Sequence, residues 1–545
     1  MNDQHPVRSR SFSLCEASVR PVQADEAADR LYSTKYLLLR TPCPILLTMP
    51  SNRDVLRHDV DPATQPAGRL WATAAAVAAL GAWVMFDARP GLNWFLWTGA
   101  AATGLTALHR DRHAQRGGTL VPSLGAAATL IAGAATITAS EVLHVVICAA
   151  VVVLLAMQML LAVDPSPRRI TARFAATAPP VALFRAVPHA LRRAAEATEQ
   201  IRSTRARAWV RGLALTLPVL LVFALLLAEA DPTFARWRDA ADAFFSSWEF
   251  LPRVIFFTAL LGLVVGAYGY ALSDSAAPLA TTDREPVRWL GATERVMLLA
   301  AVTALLWLFL ALQLGYFFGS QPRATAPGMT FAEYARRGFA ELSIVASASV
   351  VLILFAEHFG QRDRHVRLAQ LVAYALVVAV LLLLASAVHR VLLYEAAYGF
   401  TTARLYAQAY MMVVAAALVL LAVEVARTLD TGRLFRRTAA VAAVLLVGLL
   451  YWNHDAWIAR RNIDRFASTG QLDIAYLTGE LSPDALPVIV DKLASLPEPT
   501  RADLRAALQK RYAMGATLAT THWFEWNLSR TRARAAQAAI TPVSP

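Results

Sequence analysis

The chain has 545 residues, 57% of them hydrophobic and only 17% charged, with a mean hydropathy of +0.44. Soluble domains average about 45–50% apolar and about 25% charged residues, so this composition excludes a disordered or fibrous protein and argues against an ordinary soluble enzyme. The net charge of +13 would suggest nucleic acid in a soluble chain; in an apolar one it points to charge sorted across a membrane, with no nucleic-acid partner expected.

Residues 1–67 are polar and irregular, and an unstructured extension is expected there. Its apolar run Leu37–Met49 is broken by Arg40, Pro42 and Pro44 and is too short to span a bilayer. Met49 precedes a more typical start, so residues 1–48 read as an over-extended gene start. Cys15, Cys43 and Cys148 offer neither a disulfide framework nor a CxxC metal site. Lysine occurs only at Lys35, Lys492 and Lys510. The many dispersed arginines fit the codon habit of a GC-rich bacterium, not a phosphate-binding device.

From Leu70 the sequence becomes a series of apolar runs. A spanning helix needs roughly 20 such residues. Runs at 70–86, 92–108, 119–138, 142–163, 209–229, 253–272, 295–318, 339–358, 367–391, 403–426 and 438–452 predict about eleven spans by that rule. They are continuously apolar, which predicts helices; a barrel would alternate with a period of two. Trp71, Trp94, Trp97, Trp209, Trp289, Tyr316, Tyr451 and Trp452 sit near span ends, as an aromatic belt requires. The fold class expected is therefore all-α: a polytopic transmembrane bundle over 68–452, with a soluble helical appendage over 453–545.

Orientation follows from the loops. Loops 109–118, 164–208, 273–294, 359–366 and 427–437 hold 20 arginines; the alternate set 87–91, 139–141, 230–252, 319–338 and 392–402 holds 6. The first set is the longer, but its density is still about twofold higher, and it should be cytoplasmic. The N-terminus then lies inside and the tail outside the bacterial inner membrane. In loop 164–208, Phe184, Val187, Leu191, Ala194 and Ile201 recur at helical spacing beside Arg185, Arg192 and Arg193. The pattern reads equally as a basic amphipathic helix on the anionic leaflet or as a solvated loop helix. In the tail, Asn453 is placed to cap a helix that Gly470 stops, Ser482-Pro483-Asp484 opens a second, and Thr500 a third.

No dinucleotide, P-loop, zinc-protease or nucleophile-elbow motif is present. His109 and His113 flank arginines, so no metal is expected there, and no cofactor is implied anywhere. Gly262, Gly266 and Gly269 form a small-residue face for close helix packing. Gln158, Gln313 and Glu424 lie within spans, with Glu424 close enough to the cytoplasmic end to meet Arg427. No line of acids crosses the membrane, as a proton pump needs.

The informative segments are polar and sit at span ends. They are Ala230–Phe234; Gly328–Leu342, which holds Tyr334, Arg336, Arg337 and Glu341; Tyr394–Tyr406, which holds Glu395, Tyr398 and Arg404; and Ala459–Phe466, which holds Arg460, Asn462 and Arg465 and leads to Asp473 and Tyr476. Across roughly 210–530 these segments resemble the bacterial multi-spanning membrane family known only as a domain of unknown function, DUF 4173. The sequence departs from that family's pattern at Phe331, Ala340 and Phe400–Ala403. The resemblance implies a multi-pass bacterial membrane protein and no established activity.

In the derived orientation all four segments fall on the outer side. Glu341 could pair with Arg404; Tyr334, Tyr394, Tyr398 and Tyr406 could supply hydroxyls; Arg336, Arg337 and Arg404 could bind an anion. The alternative is a hydrogen-bonded plug that fixes helix ends. The first functional reading is ligand or partner binding at this outward site, in envelope signalling or assembly, with the bilayer and a protein docked on the tail as partners. A small-solute transporter and a transferase acting on a lipid-linked substrate are the other two. A transporter needs a wet path through Gln158, Gln313 or Glu424; a transferase needs Glu341 or Glu395 in a groove beside a second acid or a metal.

Overall fold

The computed structural model describes residues 67–109, 118–201, 250–273, 288–318, 331–361, 366–427, 429–512, 518 and 521–540, with scattered positions between 212 and 240. Within the described helices, the side chains of 67, 198–201, 313–318, 331–340 and 366 are not described. The N-terminal extension, the expected span 209–229, the segment Ala230–Phe234, and the side chains of Gln313, Tyr334, Arg336 and Arg337 therefore lie outside the described residues.

Among the described residues the fold is helical. The helices are α1 Ala67–Val84, α2 Leu92–Leu108, α3 Leu120–Gly133, α4 Glu141–Val163, α5 Ala172–Ile201 and α6 Phe250–Ala271. They continue with α7 Ala292–Phe318, α8 Phe331–Phe359, α9 Val366–Tyr398, α10 Thr402–Val425 and α11 Thr431–Tyr451. The tail adds α12 His454–Thr469, α13 Ile474–Gly479, α14 Leu486–Lys492, α15 Thr500–Tyr512 and α16 Leu528–Ile540.

Seven of these are long and apolar enough to cross a membrane: α4, α6, α7, α8, α9, α10 and α11. Eleven were expected. Helices do form at the first three predicted runs, but they are short, with 18 residues in α1, 17 in α2 and 14 in α3. At about 1.5 Å rise per residue, α3 reaches only about two thirds of a 30 Å hydrocarbon layer. It ends in a tight turn, Ala134–Thr136, instead of continuing. The α2 helix starts and stops where its run predicts; only at α3 does the apolar run outlast the helix.

Apolar side chains define the packing. Leu299, Ile353, Leu376, Leu383, Leu418 and Leu421 knit α7 to α10 together. Leu70, Val77, Leu105, Val264 and Val265 join α1, α2 and α6. Ile131, Ile147 and Leu450 tie α3, α4 and α11 into a third cluster. The tail has its own core of Ile458, Ile463, Leu477, Leu486, Ile489, Leu504, Leu508 and Tyr512.

The helix expected in loop 164–208 forms as α5, but it is not merely a surface helix. Ala178, Ala182 and Ala186 are buried against the bundle, while Phe184 and Leu191 are exposed. The contact with α6 is close. A Cβ on Gly266 would lie 2.3 Å from the Ala186 carbonyl oxygen, so only glycine permits it. His189 packs edge-on to Tyr270, with ring centroids 5.3 Å apart.

Of the three polar side chains singled out within spans, the two that are described are engaged by protein. Gln158 donates from Nε2 to the Ala102 carbonyl (3.1 Å), joining α4 to α2. Glu424 is fully buried and pairs with Arg433 and Arg437, not with the Arg427 side chain. Helix geometry explains the correction: Arg427 continues the end of α10 and its backbone N–H bonds the Glu424 carbonyl, while α11 returns with its first turns facing that carboxylate.

Candidate functional site

The α9–α10 turn and α12 build one wall. Gly399 has φ +84°, which places the chain in the left-handed region and turns it sharply out of α9. Asn462 on α12 then reads the turn. The Phe400 N–H donates to Asn462 Oδ1 (2.7 Å), and Nδ2 donates back to the Phe400 carbonyl (2.8 Å). Arg465 donates to the carbonyls of Ala396 (3.2 Å) and Ala397 (2.6 Å), two of the groups left over at the end of α9. The Thr402 N–H donates to the Tyr476 hydroxyl (2.8 Å). The third and fourth sequence segments therefore meet.

Within that wall, the Arg404 guanidinium lies over the Tyr394 ring (4.2 Å) and donates to the Gly399 carbonyl. Tyr398 lies 4.8 Å from Tyr394, ring to ring. Gln408 donates to the buried Glu395 (3.0 Å), and Tyr406 lies 3.0 Å from His454 Nε2. Glu341 and Arg460 are exposed. The expected partner of Arg404 was Glu341; the contacts described for Arg404 are instead with its own turn. A planar cation stacks readily on the tyrosine one helical turn before the bend.

Tail helices close the site. Ser482 accepts from the Asp484 N–H and so starts a short turn over Pro483–Ala485, as its sequence predicts. Asp484 itself reaches into the bundle. It accepts from Thr138 Oγ1 (2.7 Å), from the Ala139 N–H (2.7 Å) and from the Ser529 hydroxyl. Asn527 donates to the carbonyls of Ala135 (2.8 Å) and Thr138 (2.7 Å). The Leu92 N–H donates to the Trp526 carbonyl (3.0 Å), and Arg530 donates to the carbonyls of Pro90 (2.6 Å) and Glu525 (2.7 Å).

Between these contacts lies a cavity of about 650 Å³. Its bundle side carries Arg89, Ser140, Glu141, His144, Thr402 and Tyr406. Its tail side carries Asp455, Gly479, Glu480, Arg511, Tyr512 and Arg530. Burial raises the Asp484 carboxyl above its ordinary range against the pull of Ser529, Thr138 and Ala139, and burial also raises the Tyr476 and Tyr512 phenols. Burial would raise Glu525 too, but the N–H groups of Thr521 and Arg89 bond its carboxylate and together hold it below the usual value. Burial and the neighbouring Arg89 lower Arg530.

The wall is rich in donors, and two of its hydroxyls meet a base: Tyr406 the His454 imidazole and Ser482 the Asp455 carboxylate. His144 Nε2 is engaged by the Thr138 carbonyl (3.1 Å). Among the described residues, no group of three His, Cys, Asp or Glu is placed to hold a metal ion.

One family model matches residues 125–492, more than half of the chain, and its description is a domain of unknown function, DUF4153. The chain belongs to the DUF4153 family. No curated protein and no solved structure matches it. An uncharacterised family was expected, under the label DUF 4173; DUF4153 is the family shown. The DUF4153 match runs from within α3 to the end of α14. It includes Arg404, Asn462, Tyr476 and Asp484, and leaves out Arg89, Glu525, Asn527 and Arg530.

Sequence reasoning missed Thr138, Asp484, Asn527 and Arg530. Asp484 carried a signal, but as an acid at a helix start. The other three are isolated polar residues that each have a partner hundreds of positions away.

Proposed function

We propose that this DUF4153 protein is a multi-pass protein of the bacterial inner membrane that binds a polar ligand in the cavity between its bundle and its tail. The observation that carries this reading is the cavity itself, with charged and hydroxyl groups contributed from both sides. In this reading α1, α2 and α3 lie in the membrane beside the seven longer helices. The positive-inside bias puts the N-terminus in the cytoplasm and the tail outside, as the folded cap of an outward-facing site. A protein docked on the tail and a role in envelope signalling or assembly follow as extensions of that cap. Gln158 and Glu424 are both engaged by protein groups, which favours binding over a transport path. Glu395 is buried beside Gln408 and outside the cavity lining, which favours binding over group transfer.

Gly479 supplies the test. It lines the cavity, and a Cβ there meets nothing within 4 Å. Gly479→Trp should fill the space without disturbing the fold. Polar solutes that raise the melting temperature of the detergent-purified protein should lose that effect in the variant. Equal responses of the two proteins to every solute would end the reading. The sidedness has its own check. A single cysteine at Ser468, in a chain whose three natural cysteines are replaced, should react with an impermeant label on intact cells; labelling only after lysis would place the tail inside.

A further inference from the structure

We infer that the cavity takes an anionic, phosphate-bearing group, bound between Arg530, Arg511, Arg89 and the amino end of α4. This rests on the cavity being a ligand site, and it names the chemistry that fits there.

Arg530 is the first observation. Only 5% of it is exposed, and it lines the cavity. Its side-chain hydrogen bonds both leave from Nη2 and end on backbone carbonyls, those of Pro90 and Glu525. Its Nε has no partner. Among the described residues no carboxylate lies within ion-pair distance of it. A buried guanidinium normally meets a carboxylate or phosphate, whose paired oxygens match its fork of donors. Here no such partner touches it among the described residues; Glu525 and Asp484 act on it only from a distance.

The second observation is α4. This helix of 23 residues begins at the cavity, where Ser140, Glu141 and Val142 line the wall. Ser140 stands at the capping position, yet its side chain makes no capping bond. The first-turn N–H groups are therefore left for water or a ligand, and the helix presents its positive end. Arg511 adds a third positive group, steered by its bond to the Thr478 carbonyl. Arg89 adds a fourth.

The three acids of the lining equal its three arginines in formal charge but differ from them in placement. Glu141 and Glu480 are exposed, and Asp455 accepts from the N–H and the hydroxyl of Ser482 through Oδ2, while its buried Oδ1 has no hydrogen-bond partner among the described residues. His144 is engaged by a carbonyl. The exposed Glu141 and Glu480 can turn to water, whereas Arg530 and Asp455 cannot.

A phosphate-type oxyanion could arrive free or as a phospholipid headgroup, and the test separates the two. The full-length protein, purified in neutral detergent, is melted with inorganic phosphate against chloride at matched ionic strength. In parallel it is reconstituted in nanodiscs of phosphatidylglycerol or phosphatidylcholine, and retained lipid is counted by native mass spectrometry. A free-anion site should show stabilisation by phosphate over chloride. A headgroup site should show retained phosphatidylglycerol that Gly479→Trp loses. Arg511→Gln should weaken whichever binding is seen by about tenfold, the effect of one charge-assisted contact. Arg530→Gln should weaken it at least as much; because Arg530 also holds the tail, Arg511→Gln stands as the variant expected to fold. If phosphate acts only as chloride does and no lipid is selected, the inference falls. A neutral solute lost with Gly479→Trp would then leave the ligand site standing and remove only its anionic character.

Discussion

The two ends of the bundle handle a buried charge in opposite ways. At one end the Glu424 carboxylate, with none of its surface exposed, receives Arg433 through Nε and Nη2 (2.7–2.9 Å) and Arg437 through Nη1 (2.9 Å). At the other end Arg530 is almost as buried and receives only carbonyls. The first cluster has more donors than the charge needs, and it pins α10 to α11. The second has a charge with donors to spare, and it faces open space. Similar residue types give a fastener in one place and a receptive surface in the other; what differs is whether the hydrogen-bonding capacity is used up.

The contrast can be broken most severely at the closed end. Replacing both Arg433 and Arg437 by methionine strands the Glu424 carboxylate, which should lower the denaturation midpoint of the detergent-purified protein more than any other change named here. A loss below about 1 kcal/mol would show that the pair is no fastener and that the two ends are alike. A smaller effect is expected at the wall of the open end. Asn462→Ala leaves the Phe400 N–H and carbonyl without partners and should cost about 1–3 kcal/mol. Faster proteolysis at the 399–402 turn should accompany it; an unchanged cleavage rate would mean the turn does not depend on α12.

pH probes the docking surface itself. Asp484 has a raised folded pKa, so its contribution to stability is present in acid and lost as pH rises from 3.8 through the folded value. Asp484→Asn should flatten that decline between acid and neutral pH in a melting series. Glu525 runs the other way: its lowered pKa stabilises above 4.5 and the contribution is lost as pH falls. Glu525→Gln should therefore flatten the acid limb and leave the neutral one. The least effect belongs to the rim. Trp523 stands edge-on to Trp83 at 6.1 Å while both stay exposed, so Trp523→Ala should cost about 0.5–1.5 kcal/mol in the same melt. A larger loss would mean the rim, not the polar contacts, seats the tail.

Local features were legible in the sequence because their causes are local. Asn453 does cap α12 by accepting from the Ala456 N–H, and Gly470 ends it at φ +65°. Ser482 starts its turn, and the long leucine- and valine-rich runs became helices. The meeting of Tyr394–Tyr406 with Asn462 and Arg465 follows from loop alternation, which puts both on one side. Partners were not legible. Nothing near Asp484 in sequence announces Thr138, 346 positions earlier. Arg404 was given Glu341 as partner because opposite charges attract; Tyr394 took it because it stands one turn from the bend. Helix length was misjudged at α3, where the apolar run 119–138 outlasts a helix that stops at Gly133.

The contacts between residues 89–92 and 525–530 have a consequence for how the molecule is made. Arg530 bonds a carbonyl 440 positions before it. The segment around Pro90 emerges from the ribosome long before its partner exists, and 440 positions separate the two. Contacts of such separation form late. Seating of α16 is thus a completion signal: it cannot occur until nearly the whole chain has been made, and until then the groups around Pro90 stay without their partners.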